Sequence, residues 1–319
     1  TGDFKRMKTY GRKILEREDA RRLRSPITDR WKVCEVKFDR PSPETRERNI
    51  IAFSLFGNLP KYCEGAILNA KVAREVYPYW TPLFYVDDTV PIEVIATLES
   101  EGARVKVAGS STTPKTMWRF EACDEPSIDR VIFRDADSLV NLREAHAVHE
   151  WVESSRCFHT MRDRGSHTAL ILAGMWGCAP AFLGGSSMAE AIARWLKTAS
   201  GIDFTRFADQ YFLSEVVWPL AREHLCAHDS VFEFGNTLNF SVTIDGRVGD
   251  NVSTSSITAN CKKTAFSKVK WHLRDETSET KLTCSYTTKA NVDGSITVKL
   301  PENFMTPLQQ GVISLRSEE

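Results

Sequence analysis

Two aspartates follow an apolar run near the middle of the chain. The segment 131–133 is Val-Ile-Phe, and Arg134, Asp135, Ala136 and Asp137 come directly after it. In an extended segment, Asp135 and Asp137 lie on the same side of the backbone, about two residue rises apart. Carboxylate oxygens suit Mn²⁺ or Mg²⁺, which keep positions open for phosphate oxygens and water. The pair therefore predicts a metal that faces a phosphorylated ligand, and a strand-end cap or a salt bridge to Arg134 is the alternative.

The elements around this motif alternate between apolar strands and amphipathic helices, which is typical of a mostly parallel sheet covered by helices. Predicted strands lie at 49–57, 81–88, 103–109, 130–138 and 156–163, and predicted helices at 62–78, 90–102, 116–125, 142–155, 186–200 and 207–224. In such sheets, ligands collect at the carboxyl ends of the strands, where helix N-termini point at them. Asp135 and Asp137 fall at that edge.

Both ends of the chain differ from this central pattern. Residues 1–48 carry 15 Lys or Arg against 9 Asp or Glu, and they predict a basic helix over 1–30, a short strand over 31–38 and a linker over 39–48. Beyond 240 the sequence alternates with period two, and the turn at Asp293-Gly294 predicts a hairpin over 281–300. We therefore expect a basic N-terminal extension (1–48), an α/β core (49–240) and a small β-rich C-terminal appendage (241–319).

The totals limit the class of partner. The 42 basic and 42 acidic residues cancel, so no overall field draws the chain to nucleic acid or to an anionic membrane. Eight cysteines without a Cys-x-x-Cys pair favour reduced thiols over a zinc site, and we expect a soluble, cytoplasmic protein. The start lacks an apolar signal-peptide core, and glycines and Pro180 interrupt the longest uncharged stretch, 168–188, so no transmembrane segment is expected.

With these motifs, the sequence resembles the metal-dependent glycosyltransferases of the GT-A fold, which use nucleotide-sugar donors. The resemblance extends over about 49–230, and the order of elements is most similar to retaining enzymes related to glycogenin and to bacterial lipopolysaccharide galactosyltransferases. It rests on "SLFG" at 54–57, "MWRF" at 117–120, "RDADS" at 134–138, "LAGMWG" at 172–177, "ADQYF" at 208–212 and "AHDS" at 227–230. The combination with "MRD" at 161–163 also resembles uncharacterised sugar transferases from polysaccharide gene clusters and large viruses.

The resemblance implies three groups of site residues. The metal, Mn²⁺ or Mg²⁺, is implied on Asp135, Asp137 and His228. The nucleotide-diphosphate sugar, with UDP favoured over GDP, is implied on Ser54, Leu55, Phe56, Gly57, Arg119, Arg134, Ala136, Arg162 and Gly174. A catalytic role in the sugar site is implied for Asp209, Gln210 and Asp163.

Most of these residues also have an ordinary structural alternative. Arg119 is equally compatible with a surface cation, and Asp209 with the cap of the helix that follows it. For Arg162 and Asp163, the alternative to binding a donor is that they pair with each other. A glycine such as Gly174 permits close packing as well as the approach of a sugar ring.

The reaction expected from the resemblance is transfer of a sugar to a hydroxyl acceptor, with retention of configuration implied by the order of elements. An inverting enzyme would need a carboxylate base near the acceptor, for which Asp209 or Asp163 are the candidates. Two other classes remain open from the residues alone. One is a metal-dependent hydrolase of phosphoesters or nucleotide-sugars, and the other is a non-catalytic protein that binds glycan or nucleic acid.

Overall fold

The computed structural model describes residues 2–23, 31–34, 39–108, 112–199, 201, 206–243, 246–276, 283–310 and 312–318. Its helices are α1 (Gly2–Arg22), α2 (Pro60–Val76), α3 (Ile92–Ser100), α4 (Leu142–Glu153), α5 (Met188–Thr198), α6 (Ala208–Phe212), α7 (Trp218–Ala221) and α8 (Met305–Gln309). Its strands are β1 (Asn49–Leu55), β2 (Thr81–Val86), β3 (Arg104–Val107), β4 (Arg130–Asp135), β5 (Phe158–Arg162), β6 (Met175–Cys178), β7 (Leu225–Asp229), β8 (Thr237–Leu238), β9 (Thr254–Asn260), β10 (Lys268–Asp275), β11 (Thr283–Lys289), β12 (Ser295–Pro301) and β13 (Ile313–Ser317).

Within the described ranges, the first eight strands form one sheet in the order β3-β2-β1-β4-β6-β5-β7-β8. Every neighbouring pair is parallel except the two pairs of β6, which runs antiparallel to β4 and to β5. Strands β1 and β2 are apolar and buried along almost their whole length, as expected of strands covered on both faces. The predicted α/β class with a mostly parallel sheet is confirmed.

Local sequence explains where the helices begin and end. Pro60 stands in the first turn of α2, where a missing amide hydrogen costs nothing, and Pro78 follows the end of that helix. Asn141 precedes α4, and its side chain accepts a hydrogen bond from the Glu144 amide at 3.0 Å. Ser187 caps α5 in the same way. These caps fix the start of each helix relative to the sheet edge.

Several predicted elements differ from the structure. The helix predicted over 116–125 is a 3₁₀-helix, Lys115–Asp124, and the single helix predicted over 207–224 is divided by a π-helical segment, Leu213–Val217. Residues 31–34 of the predicted short strand are not extended into a sheet, and residues 35–38 lie outside the described ranges. The basic helix ends at Arg22, and the predicted remainder over 24–30 is likewise outside them.

The predicted C-terminal hairpin is wrong, although its turn forms. Strand β11 pairs with β10, and β12 pairs with β9, so the two flanking strands belong to different sheets. The turn at Gly294 is tied instead to the chain after β9, because the Lys263 amide donates to the Gly294 carbonyl at 3.1 Å. Alternation with period two predicts strands but does not choose their partners.

The apolar core joins the parts of the chain that the sequence separates. On one face of the large sheet, Leu15 of α1 packs into the same cluster as Phe133 and Trp176. On the other face, Trp271 and Tyr286 of the C-terminal strands pack with the apolar residues of α2 and α3. The large sheet ends at residue 238 and the small sheets begin at 254, so the boundary at 240 falls between the sheets. The C-terminal strands share an apolar cluster with α2 and α3, and the division into domains at 240 stays a prediction.

None of the helices in the described part of the chain combines the length and apolar composition that crossing a bilayer requires. Cys34 and Cys157 form a disulfide with their Cα atoms 5.4 Å apart, while the other described cysteines are free thiols. This disulfide corrects the expectation that all thiols are reduced. Spacing along the chain gave no indication of it, because the two residues are 123 positions apart.

Candidate active site

The carboxyl ends of β1 and β4 lie side by side and open into a cleft. Their register places Ser54 next to Asp135. The cleft has a volume of about 370 Å³ and is lined by Ser54, Leu55, Phe56, Tyr62, Thr116, Arg119, Asp135, Ala136, Asp137, Arg206 and Phe207. The structure thus brings the Asp-x-Asp motif together with the predicted residues of 54–56 and with Arg119.

Arg119 is the central cation of this cleft, and it is buried under the carboxylates. One guanidinium nitrogen, Nη1, donates to Asp135 at 2.5 Å and to the carbonyl of Arg134 at 2.9 Å. The other, Nη2, donates to Asp209 at 3.0 Å. Because its side chain is only 4% exposed, Arg119 orients the two aspartates rather than presenting a free fork to a diphosphate. The alternative of a surface cation is excluded by the same burial.

The two aspartates that share Arg119 differ in acidity. Partial desolvation in the cleft raises the pKa of Asp135, but the Arg119 guanidinium and, with smaller effects, Arg134 and Lys61 lower it by more, so the pKa lies below its ordinary value. Burial, together with the negative charge of Asp135, raises the pKa of Asp209 to about 6, although Arg119 opposes the rise. Asp135 is therefore an anion at neutral pH, whereas Asp209 gains or loses its proton near pH 6.

Asp137 has a cationic partner of its own, Lys61, in the first turn of α2. The Lys61 Nζ lies 2.5 Å from the Asp137 carboxylate. The same helix holds the backbone of the motif, because the Asn69 side chain donates to the Ala136 carbonyl at 3.2 Å. Gly65 packs against that carbonyl so closely that a Cβ would collide with it. Helix α2 thus fixes the turn that carries Asp137.

Gly174 and Gln210 complete the wall around Asp135. A Cβ on Gly174 would collide with the Asp135 carboxylate, so glycine is needed here for the aspartate to keep its position. The Gln210 amide lies against the segment before Gly174. Oriented with its nitrogen toward the Ile171 carbonyl and its oxygen toward the Ala173 amide, it bonds to both, at 3.2 and 2.5 Å. Both predicted residues therefore act on the position of Asp135 and its surroundings.

The end of β1 forms the other side of the cleft. The Ser54 hydroxyl accepts a hydrogen bond from the Arg119 amide at 3.0 Å. Gly57 adopts a positive φ of 75°, which favours glycine, and its amide donates to the Thr89 hydroxyl at 2.6 Å. Phe56 packs edge-on against Trp118, with ring centroids 5.9 Å apart. Leu55 is buried, so of this segment Ser54 and Phe56 offer the accessible side chains.

Arg134 does not face the cleft. Its side chain points to the opposite face of the sheet, is fully buried, and lies 2.7 Å from Glu144 of α4. It also donates to the Gly174 carbonyl at 2.6 Å. Successive residues of a strand alternate between faces, so Arg134 and Asp135 cannot both face the donor. Its expected contact with the nucleotide is corrected to a structural role between the sheet and α4.

Arg162 and Asp163 lie in a separate network at the end of β5. Arg162 donates to the carbonyls of Ala169 and Leu170 and is fully buried. Asp163, also buried, accepts two hydrogen bonds from Arg143, at 2.7 and 2.8 Å, and one from Ser230 at 2.6 Å. Neither residue lines the cleft around Asp135. Arg162 is held by the loop carbonyls and lies 3.7 Å from Asp229, and Asp163 is held by Arg143 of α4 and by Ser230, so the two residues do not pair with each other. Their expected place in the sugar site is not supported.

His228 also lies away from the aspartates. Its Nδ1 is 3.0 Å from His159 Nε2, and its Nε2 is 2.7 Å from Glu150, so both ring nitrogens are engaged. Strands β6 and β5 separate its strand, β7, from β4, a distance of roughly 14 Å at ordinary strand spacing. Its ring is fully buried, and burial lowers its pKa. The structure therefore does not bring His228 to the predicted metal ligands.

The remaining donor set fits a divalent metal of a particular kind. Within the described part of the chain, no three His, Cys, Asp or Glu side chains converge to form a complete cage. Mn²⁺ and Mg²⁺ are commonly held by one or two carboxylates, with substrate phosphates and water as the other ligands. The Asp135 side chain is 50% exposed in the cleft, and Asp137 lies in the same cleft. These two residues fit a metal that binds together with a phosphorylated ligand.

Sequence reasoning missed Lys61, Tyr62, Arg206 and Phe207, which belong to this site or line its cleft. Lys61 and Tyr62 stand in the first turn of the helix that follows β1, and such turns face the carboxyl edge of the sheet. That position was a usable signal. No comparable signal marks Arg206 and Phe207, because they belong to no recognisable motif and only the tertiary fold places them at the cleft.

No protein-family model and no curated protein matches the sequence. Among solved structures, the glycosyltransferase GlyE of Streptococcus pneumoniae TIGR4 is 16% identical, with a TM-score of 0.41 over 57% of this chain and 45% of that chain. The galactosyltransferase LgtC, solved with donor and acceptor sugar analogs, is 14% identical, with a TM-score of 0.39 over 57% of this chain and 73% of that chain. Mannosyl-3-phosphoglycerate synthase from Rubrobacter xylanophilus is 13% identical, with a TM-score of 0.34 over 82% of this chain and 90% of that chain. This chain spans less than half the length of the GlyE chain, and at such TM-scores these likenesses carry no weight for the activity.

Proposed function

We propose that this chain is a glycosyltransferase that moves a sugar from a nucleotide-diphosphate donor to a hydroxyl acceptor. The observation that supports the proposal is the pair Asp135 and Asp137 at the carboxyl edge of the sheet, both in one cleft and both held by cations. Two oriented carboxylates at this edge are suited to Mn²⁺ or Mg²⁺ with a bound diphosphate. A divalent metal there supplies charge neutralisation for the departing nucleotide.

The chain's own residues divide the remaining work. Arg119 is a positioning residue, because its buried guanidinium fixes Asp135 and Asp209 relative to each other. Ser54 and Phe56 are proposed to contact the nucleoside, and UDP is favoured over GDP as in the sequence prediction. Gly174 leaves the space that the Asp135 carboxylate occupies, and Gln210 holds the adjacent segment.

Asp209 is proposed to face the sugar. Its ordered carboxylate is anionic above pH 6, where it stabilises positive charge that develops on the sugar ring. Asp163 is held in a separate network at the end of β5, whereas Asp209, although buried, shares Arg119 with Asp135; Asp209 is therefore the remaining candidate for a base if the reaction inverts. Retention stays a prediction, and the anomeric configuration of the first product, measured by proton NMR, decides between the two outcomes.

Calorimetry with UDP or GDP, with and without Mn²⁺, tests the binding part of the proposal. We expect Mn²⁺-dependent binding by the wild type and its loss in Asp135→Asn and Asp137→Asn. Asp293→Asn, which changes an aspartate in the turn before β12, is the matched control and should bind normally. Retained Mn²⁺-dependent binding in the double variant would exclude the metal assignment.

Product analysis separates this proposal from the other two classes. Incubation with a panel of nucleotide-sugars and Mn²⁺ should release nucleoside diphosphate faster when a saccharide acceptor is present, and the acceptor should gain one sugar in mass. Release of free sugar at the same rate with every acceptor would identify a hydrolase instead. A protein that only binds glycan or nucleic acid would release nothing.

A further inference from the structure

Helix α2 begins at the cleft with a lysine, Lys61, whose anionic partner Asp137 is also a predicted metal ligand. Lys61 Nζ lies 2.5 Å from the Asp137 carboxylate, and the Lys61 side chain is 31% exposed. Its positive charge also lowers the pKa of Asp135, so it acts on both aspartates of the motif. Within the motif, Lys61 is thus the partner of Asp137 and Arg119 the partner of Asp135.

A divalent cation and an ammonium group compete for one carboxylate. Like charges a few ångströms apart repel strongly in a partly buried site, where the effective dielectric is low. If Asp137 binds a metal, the repulsion therefore drives Lys61 from the position that the structure gives it. Its flexible four-carbon stem allows that movement without a change in the backbone.

The surroundings of Lys61 offer an anion as its next partner. The first turn of α2 contains no acidic residue, and no side chain caps its N-terminus. The positive end of the helix dipole is thus left for an anion from outside the helix. Tyr62, in the same turn, lines the cleft together with Asp135 and Asp137, so an anion bound in this cleft lies within reach of that end.

We propose that Lys61 is an exchangeable counter-ion: it neutralises Asp137 in the empty site and transfers to an oxygen of the donor diphosphate when a divalent metal takes its place. This inference rests on the proposed function for the identity of the diphosphate. The exchange has a distinctive consequence, because Lys61 opposes the binding of metal alone and favours the binding of nucleotide with metal.

Titration calorimetry of Lys61→Met tests both signs. With Mn²⁺ alone, we expect the variant to bind roughly three- to tenfold more tightly than the wild type, since Asp137 has lost its competing cation. With UDP or GDP at saturating Mn²⁺, we expect it to bind roughly three- to tenfold more weakly. The control is Lys71→Met, which removes another lysine of α2. Lys71 pairs with Glu101, at the end of α3, so this change should alter neither affinity.

The outcomes separate the inference from the proposed function. Unchanged or weaker binding of Mn²⁺ alone by Lys61→Met, with the helical circular dichroism of the wild type, would overturn the exchange. Lys61→Gln, which keeps a polar side chain without the charge, provides the same comparison if the methionine variant does not fold. A wild type that binds Mn²⁺ but neither UDP nor GDP would overturn the proposed function, while the Mn²⁺ titrations would still decide whether Lys61 competes for Asp137.

Discussion

Three carboxylates and two cations lie at the cleft, where Asp135 and Asp137 line it and Asp209 is buried on Arg119, and the balance of these charges affects what binds there. Asp135, Asp137 and Asp209 are compensated by Arg119 and Lys61, which leaves one negative charge in excess when all are ionised. A divalent cation reverses that excess, and a diphosphate then restores it. The charge balance favours a metal and a diphosphate that arrive together over either ligand alone.

Removal of Arg119 should damage stability as well as binding. In Arg119→Met, the buried Asp209 carboxylate loses the cation that compensates its charge, so we expect the free energy of unfolding to fall by about 2–4 kcal/mol, measured by urea denaturation. Arg206→Met, which changes an exposed cleft arginine, should lie within about 0.5 kcal/mol of the wild type. Equal stabilities of the two variants would contradict the bridging role of Arg119.

Gly174→Ala should affect the site more than the fold. The new Cβ occupies the space of the Asp135 carboxylate, so we expect Mn²⁺-dependent nucleotide binding to weaken at least tenfold, measured by calorimetry. Gly102→Ala is the control, because it introduces backbone strain at a φ of 81° in a turn away from the cleft. Gly102→Ala should lose stability and keep binding. If Gly174→Ala lost stability but kept Mn²⁺-dependent nucleotide binding, Gly174 would not shape the site.

At the scale of elements, helix α2 connects the site to the C-terminal strands. Lys61, Gly65 and Asn69 contact the motif, whereas Glu64 accepts a hydrogen bond from the Tyr286 hydroxyl of β11. Glu64 is buried at this junction, and burial raises its pKa to about 7. The same helix therefore responds to the motif on one side and to the C-terminal strands on the other.

The raised pKa of Glu64 makes stability fall with rising pH. The folded state holds the Glu64 proton more tightly than the unfolded state, so its contribution is complete below about pH 4.5 and is lost as the pH rises through about 7. Relative to Glu64→Gln, the wild type should lose up to about 3 kcal/mol between pH 5 and pH 8, measured by urea denaturation. Glu75→Gln, at an exposed position of the same helix, is the control. If Glu64→Gln follows Glu75→Gln at every pH, the junction is not protonated as described.

The elements near the motif could be predicted from the sequence, and the partners of distant elements could not. The apolar run into Asp135 located both the strand and the edge of the sheet where it ends. The face of the sheet that each side chain points to was not resolved, which is why Arg134 was expected in the cleft. Asp163 and His228 have the residue types of a site, but Asp163 accepts hydrogen bonds from Arg143 and the His228 ring is bonded to the Glu150 carboxylate, and these contacts hold both residues elsewhere.

At the scale of the whole molecule, a disulfide joins the N-terminal part to the sheet. Cys34 and Cys157 enclose a loop of more than one hundred residues, and closing such a loop restricts the unfolded chain. Disulfides persist in oxidising compartments and are rare in the cytosol. The cytoplasmic location expected from the sequence implies a reducing environment, whereas this disulfide implies an oxidising one.

Cys34→Ser should lower the free energy of unfolding by about 2–4 kcal/mol under oxidising conditions. The wild type should lose a similar amount on addition of reductant, and Cys261→Ser, at a free thiol, should lose little. Mass spectrometry after alkylation without reductant identifies the linked peptides. Complete alkylation of Cys34 and Cys157 in protein taken directly from cells would place it in a reducing compartment.

The interior shared by α2, α3 and the C-terminal strands sets a limit on how the chain can be shortened. Trp271, Tyr286 and Leu300 cover the outer side of those two helices. A fragment that stops at residue 240 keeps every strand of the large sheet but exposes the apolar surface of α2 and α3 to solvent. Such a fragment should accumulate as inclusion bodies, so a shortened version of the protein has to retain the C-terminal strands.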